Sequence, residues 1–466
     1  MKISFQPGKI TVAAFSAILI APLTRAQTPK SEPTGYLADA SEEYWPADSL
    51  DRRSHIGKHV PILGGKGLIS SGVNVREGFE FFRGYLWGIG PQDGNGYLLH
   101  RMLVHSDLRY KRHLRVFAEL QSSFITGRNG GPRPVQELNK LAVNRLFGEL
   151  TVKTAAISRL ILRLGKQHLN YGQGTLLDLR DANVRRSFLG GKLQFEMAHT
   201  RLDLFAMKAI AAQKGLLDDR IDHDQRIGGL WMTQNFGERS PVKIDSYYLL
   251  ISRQNSRYNQ GSGTELRHTM GIGLTLKDER WFSFSELDFQ WGKLGTDKIL
   301  AWKMAPSLGY RLGRLPTQPV VSIQAAISSG DKDTGDGILQ TFNPVYPKAI
   351  FYGFIDNAGS SNLIVVHPKT ELKLATNLAL TLNYYRFWRR HTADGFYAVN
   401  GSFLLPAYGT EKRVGQMVDL YAQYRAGSHW MFYLISAYYA RGAYLKINPL
   451  TKSDILYFGL KTAVNI

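Results

Sequence analysis

Along most of this chain apolar and polar residues alternate one for one. In Leu98–Tyr110, Met102, Val104 and Leu108 share a side, with Arg101, His105, Asp107 and Arg109 on the other. Leu114–Ser123 sets Val116, Ala118 and Leu120 against Arg115, Glu119 and Gln121. Trp281–Trp291 sets Leu287, Phe289 and Trp291 against Glu286, Asp288 and Gln290. Leu378–Arg389 sets Leu380, Leu382 and Tyr384 against Thr381, Asn383 and Tyr385. A period of two is that of a strand whose faces meet different surroundings, and no helical period runs for a comparable length.

Short turns and long polar loops separate these runs in alternation. The turns fall near Tyr110–His113, Ala155–Ser158, His199–Arg201, Asn235–Val242, Lys277–Arg280, Gly313–Thr317, Ala375–Asn377 and Arg425–His429. The notable loops are Thr126–Asn144, His168–Gly190, Ser328–His367 and Arg390–Arg413. Each turn makes a hairpin. A first strand near Asn74–Trp87 and a last near Ile455–Ile466 bring the expectation to about eighteen strands. The pattern predicts an all-β fold: a transmembrane antiparallel β-barrel of about 18 strands, with short periplasmic turns and long extracellular loops. Strand-end rings such as Tyr85, Trp87, Trp281, Trp291, Trp388, Trp430, Tyr438 and Tyr439 suit interfacial girdles.

The N-terminus supplies the compartment. Lys2 and Lys9 precede the apolar stretch Ile10–Leu23, and Thr24-Arg25-Ala26 resembles a cleavage site. Residues 1–26 therefore read as a signal peptide, 27–70 as a periplasmic lead-in and 71–466 as the barrel. The chain has no cysteine, so disulfides cannot hold it together. An exported chain without apolar helices spans lipid only as a closed barrel, because lipid cannot satisfy a sheet edge. The expected location is the bacterial outer membrane. At about eighteen strands the interior is too wide for wall side chains to fill, which implies a channel.

Charge narrows the cargo. Lys and Arg number 58 against 38 Asp and Glu, a formal net charge of +20. Such a surplus favours anionic partners, and export argues against nucleic acid. Part of the excess is assigned to outer-membrane lipid and lipopolysaccharide phosphates. The stretch Ser158–Phe188 begins as a strand, with Leu160, Leu162 and Leu164 opposite Arg163 and Gln167. It continues as a glycine-rich loop carrying Arg180, Arg185 and Arg186, the leading candidates for a constriction. Arg76, Arg101, Arg109, Arg115, Arg163, Lys303 and Arg389 point inward by parity, among wall acids such as Glu80, Glu119, Glu149 and Glu286.

Other chemistry is thin. Asp331, Asp333 and Asp336 make a weak calcium candidate, but the full loop pattern and its terminal glutamate are missing, so a Gly/Asp turn is the better reading. Neither H-E-x-x-H nor G-x-S-x-G is present. No enzyme activity and no cofactor are expected.

The run Leu162–Phe188 resembles the signature of the alginate export (AlgE-like) outer-membrane family. The matching residues are Gly165, Lys166, Gln167, Leu169, Tyr171, Gly172, Gly174, Leu176, Arg180, Asn183, Val184, Arg185, Ser187 and Phe188. The resemblance continues through Gly127–Pro134, Ser328–Pro347, Ser360–Pro368 and Phe387–Tyr397. Lys166 stands where the family has arginine, keeping the charge but not the planar fork that grips a carboxylate. The resemblance implies an eighteen-stranded channel for passive export of an anionic exopolysaccharide, an alginate-like polyuronate. Lys166 and the arginines above would line the pore, and periplasmic export partners are implied. Two alternatives stand beside it: a diffusion porin for small anionic solutes, and a surface lectin barrel that anchors capsule.

Overall fold

The computed structural model describes Gly57 and residues 60–466, apart from 134, 155–156, 238–239, 314 and 349–351. The expected signal segment and most of the lead-in lie outside the described residues. Eighteen antiparallel strands close into one barrel. The first six are β1 (Gly67–Arg83), β2 (Tyr97–Tyr110), β3 (Leu114–Thr126), β4 (Asn139–Val152), β5 (Arg159–Gln167) and β6 (Phe188–Glu196). Then come β7 (Thr200–Ala211), β8 (Arg220–Asn235), β9 (Val242–Arg257), β10 (Ser262–Lys277), β11 (Trp281–Leu294) and β12, in two pieces (Asp297–Ala305 and Ser307–Arg311). The last six are β13 (Val320–Ser328), β14 (Leu363–Ala375), β15 (Leu378–Arg389), β16 (Arg413–Ala426), β17 (Trp430–Arg441) and β18 (Ile455–Asn465).

Each strand pairs with the next, and β18 returns to β1 in a register running from Asn74↔Asn465 to Arg83↔Leu456. The eight short turns lie where the alternation placed them. The first strand does not: it starts at Gly67 and ends at Arg83, and Trp87 lies in the 3-10 turn Tyr85–Gly88. Trp87 is fully buried and meets Phe396 and Tyr439 edge-on, so it belongs to the interior and not to a girdle. Tyr439 is likewise buried, while its neighbour Tyr438 faces out.

The outer face is apolar, with Leu164, Met270, Leu287 and Leu300 exposed and Trp281, Trp302 and Trp430 exposed among them. The inner face is polar on β2–β5 and β11, but not everywhere. On β7–β9 it is built of Phe205, Met207, Ile227, Trp231, Leu249 and Ile251, and on β14–β17 of Val365, Tyr385, Phe387, Met417 and Ile435. The cause is the loops. The β5–β6 connection (168–187, loop A) and the β13–β14 connection (329–362, loop B) fold back into the barrel. Leu169, Leu176 and Leu177 of loop A and Phe342, Val345 and Tyr346 of loop B cover the first inner apolar face.

This two-faced wall yields a test. Leu287→Arg on the outer face should cost about 2–4 kcal/mol of folding stability in lipid vesicles, as expected for a cation near the bilayer midplane. Gln423→Arg on the inner face should stay within about 0.5 kcal/mol. Equilibrium unfolding in denaturant reads both, and equal costs would refute the assignment of faces.

Candidate functional site

Loop A starts from a strand shaped to release it. Gly165 has φ 134°, and a Cβ there would run into the Leu146 carbonyl of β4. Further on, Gly174 (φ 75°) lets the chain press against loop B, where its carbonyl accepts the Lys348 N–H at 2.8 Å. Two more main-chain bonds join the loops: Tyr346 N–H to Leu176 O at 2.8 Å and Asp178 N–H to Tyr346 O at 2.9 Å.

Loop A crosses the lumen. At one end Asp181 accepts from Arg76 Nη1 (3.2 Å), Arg101 Nη1 (2.5 Å) and Arg185 Nε (3.2 Å). The Ala182 carbonyl accepts from Arg76 Nη2 at 3.0 Å and Arg101 Nη1 at 2.9 Å. Asn183 Nδ2 donates to the Phe124 and Glu137 carbonyls at 3.0 and 2.8 Å, and Ser123 Oγ donates to Asn183 O at 2.7 Å. At the other end Thr175 Oγ1 donates to Glu286 on β11. β1–β3 and β11 stand on opposite sides of the eighteen-strand ring, so the loop spans it. Partial desolvation opposes ionisation of Asp181, yet Arg101, Arg76 and Arg185 hold its carboxyl well below the usual range.

Where the loops join, they separate two cavities. The outer one, 580 Å³, lies toward the long-loop ends of β4, β7 and β9. Arg180, Arg185, Arg186, Arg253 and Arg257 line it, with Asp219, Asp222 and Asp224 as its acids. The inner one, 480 Å³, opens among Gln173, Gln324, Lys348, His367, Lys369, Asn383 and Gln423. Burial, reinforced by Arg186, lowers Arg180 to about 9, and burial lowers Arg186 to about 10. Both remain charged at neutral pH but are short of counter-charge, the condition in which an arriving anion binds. Arg180 Nη2 bonds the Val135 and Val184 carbonyls, and Arg186 lies over the Tyr346 ring at 5.0 Å. In loop B, burial raises Asp356 to about 7 against the pull of Arg133 and Arg180. Its Oδ1 is buried without a hydrogen-bond partner.

The remaining expected residues occupy several settings. Arg109, Arg115 and Arg163 alternate with Asp107 and Glu149 in a ladder around the inner wall, with Arg109–Asp107 at 3.0 Å, Arg115–Asp107 at 2.9 Å and Arg115–Glu149 at 3.1 Å. Lys303 pairs with Asp288 at 2.9 Å. Arg389 is fully buried, donates to the Thr392, Asp394, Tyr408, Gly409 and Glu411 carbonyls, and covers the Tyr444 ring at 3.9 Å, which shapes the β15–β16 loop. Lys166 lies in register between the outward Leu146 and Leu189 and pairs with Asp219 at 2.9 Å. Asp331, Asp333 and Asp336 each accept a backbone N–H two residues on, a run of Asx turns. Among the described residues no group of three or more His, Asp or Glu is arranged to hold a metal ion.

Arg253 and Arg257, which join loop A's arginines at the outer cavity, escaped the sequence reading. The inner face of β9 is apolar at Leu249 and Ile251, so alternation there gave no sign of an inward arginine. Their spacing of four residues at the loop end of the strand is the remaining signal.

Residues 68–454 match the family model described as alginate export. Similar solved barrels come from Pseudomonas aeruginosa. OccK11 (OpdR) has 13% identity and a TM-score of 0.55, covering 85% of this chain and 96% of that one. OpdK with vanillate has 9% identity and a TM-score of 0.57, covering 85% and 98%. OccK2 (OpdF) in complex with glucuronate has 10% identity and a TM-score of 0.56, again covering 85% and 98%. At such identities the likeness is one of fold. No match is found among curated protein sequences. A family match over nearly the whole described barrel, on a closed ring of eighteen strands, makes this chain a member of the alginate export family and a channel of the bacterial outer membrane.

Proposed function

We propose that the channel passively exports an anionic exopolysaccharide, an alginate-like polyuronate, and selects it with the guanidinium groups of loop A and the wall beside it. The observation that carries this reading is the crossing of the lumen by loop A with Arg180, Arg185 and Arg186. Arg253 and Arg257 complete five arginines around one cavity, against three aspartates. A uronate polymer offers a carboxylate on every sugar, and guanidinium groups hold carboxylates through charge-assisted bonds. Several moderate sites in series let a chain advance where one tight site would stall it. Under this reading the periplasm would supply the partners that deliver the polymer.

A second reading, uptake of small acidic solutes, is favoured by the main-chain bonds that join loops A and B across the lumen. They leave cavities of 580 and 480 Å³, the scale of small sugar acids. The similar OccK2 barrel was solved with glucuronate.

Planar-bilayer recordings separate the two. Export predicts anion-selective reversal potentials and current block by micromolar polyuronate, with no block by neutral dextran. Arg180→Gln with Arg186→Gln should weaken that block about 10-fold, the weight of one charged hydrogen bond at about 1.5 kcal/mol. Cation selectivity would rule out both readings, and glucuronate permeation without polymer block would leave the small-solute porin.

Loop B should respond to pH. The folded-state pKa of Asp356 lies above its unfolded value, so its contribution to docking is fully present below about pH 4 and is lost as pH rises through about 7. The protection factors of loop B amides, with exchange normalised to the intrinsic rate at each pH, should therefore rise between pH 7.5 and 5.5. Asp356→Asn should flatten the response, and an unchanged profile in that variant would exclude Asp356 as its source.

A further inference from the structure

The net charge of +20 is not explained by the lumen, where most wall cations face a wall acid: Arg145 with Glu119, Arg163 with Glu149, Arg267 with Glu265 and Lys303 with Asp288. Part of the surplus lies outside. Across β7–β12 the ladder aligns one outward row near the long-loop ends of the strands: Lys208↔Arg226, Arg226↔Ser252, Ser252↔Leu266, Leu266↔Lys293 and Lys293↔Lys298. Directly opposed residues share a face, and Leu266 is 43% exposed, which fixes this row on the lipid side. Arg226, Lys293 and Lys298 are exposed and Lys208 is partly so. None of the four makes an ion pair with a described residue.

The next outward row toward the periplasm holds His268 and Trp291, stacked at 5.3 Å and 7°. Tyr248, bonded to His268 Nδ1 at 2.6 Å, follows one row below, level with the exposed Met270, Phe289 and Trp302. Rings of this kind mark the membrane–water boundary. Cations just beyond an aromatic boundary stand at headgroup depth, here that of the outer leaflet. With strands about 4.8 Å apart, Arg226 and Lys293, the facing members of the pairs Lys208/Arg226 and Lys293/Lys298, lie roughly 14 Å apart along the row, and the pair centres roughly 19 Å.

We propose that this row binds a phosphorylated glycolipid of the outer leaflet, one cation pair to each of two phosphates on its sugar headgroup, with the acyl chains lying on the apolar band below. The ring of β7–β12 thus carries a lipid site independent of the lumen and of what passes through it.

The test uses the full-length barrel in detergent with three probes: bisphosphorylated lipid A, its dephosphorylated form with the same acyl chains, and inorganic phosphate. Native mass spectrometry and melting temperature should show retention and stabilisation with the bisphosphorylated form alone. Lys293→Gln with Lys298→Gln should weaken its apparent affinity about 25-fold, at about fivefold per cation near an anionic lipid surface. Lys208→Gln with Arg226→Gln should do the same. Heat-shift electrophoresis and unchanged single-channel conductance verify that each variant is folded. Equal retention of the dephosphorylated lipid, equal stabilisation by free phosphate, or unaltered affinity in folded variants would each overturn the proposal.

Discussion

Lipid offers a peptide group nothing to bond with, and this one constraint organises the molecule. A sheet in lipid must have no edge, so Ile455–Asn465 has to return to Gly67–Arg83, and everything between must keep register for that return. The break within β12 shows how the rule is met locally. Pro306 has no N–H to give β11, and the next residue repairs the gap: Ser307 Oγ accepts from Phe284 N at 2.8 Å and donates to Phe284 O at 2.6 Å. Short turns, the even number of strands and the apolar outer band follow from the same demand.

A ring this wide leaves a second problem, an interior that wall side chains cannot fill. Two solutions share the circumference. Along β2–β5 the wall lines itself with alternating guanidinium and carboxylate groups, each satisfying its neighbour, which avoids the cost of a buried unpaired charge. Along β7–β9 and β14–β17 the wall is apolar inside and is covered by the chain's own loops. The apolar arcs, together with the polar bonds to Asp181, Ala182 and Asn183 at β1–β3, hold loops A and B across the lumen.

Much of this was legible in the sequence because alternation is a local property of each strand. Leu287 against Asp288, or Leu382 against Asn383, declares its face without knowledge of any partner. The eight hairpins were legible for the same reason. What stayed hidden depends on contacts between distant segments. Trp87 reads as a girdle residue until Phe396 and Tyr439 are placed beside it. Arg389 has the parity of a lumen cation, yet its charge is taken up by five carbonyls that only a folded β15–β16 loop brings together. Lys166 belongs to the motif that reveals the family, and its register places it on the other face from Arg163. Register alone does not show that its ammonium group reaches Asp219, an acid of the outer cavity.

The way loop A is tied at its two ends has a consequence for how it loosens. The end at β1–β3 is fixed by several arginine and asparagine bonds to its backbone and to Asp181. The end toward β11 is held by the Thr175 hydroxyl, by main-chain bonds to loop B and by the packing of Leu169, Leu176 and Leu177 on β7–β9. Such a crossbar is a beam fixed by ionic and polar bonds at one support and by apolar packing and backbone pairing at the other. Salt screens the first kind of support and not the second, so the two ends of the crossbar loosen under different conditions.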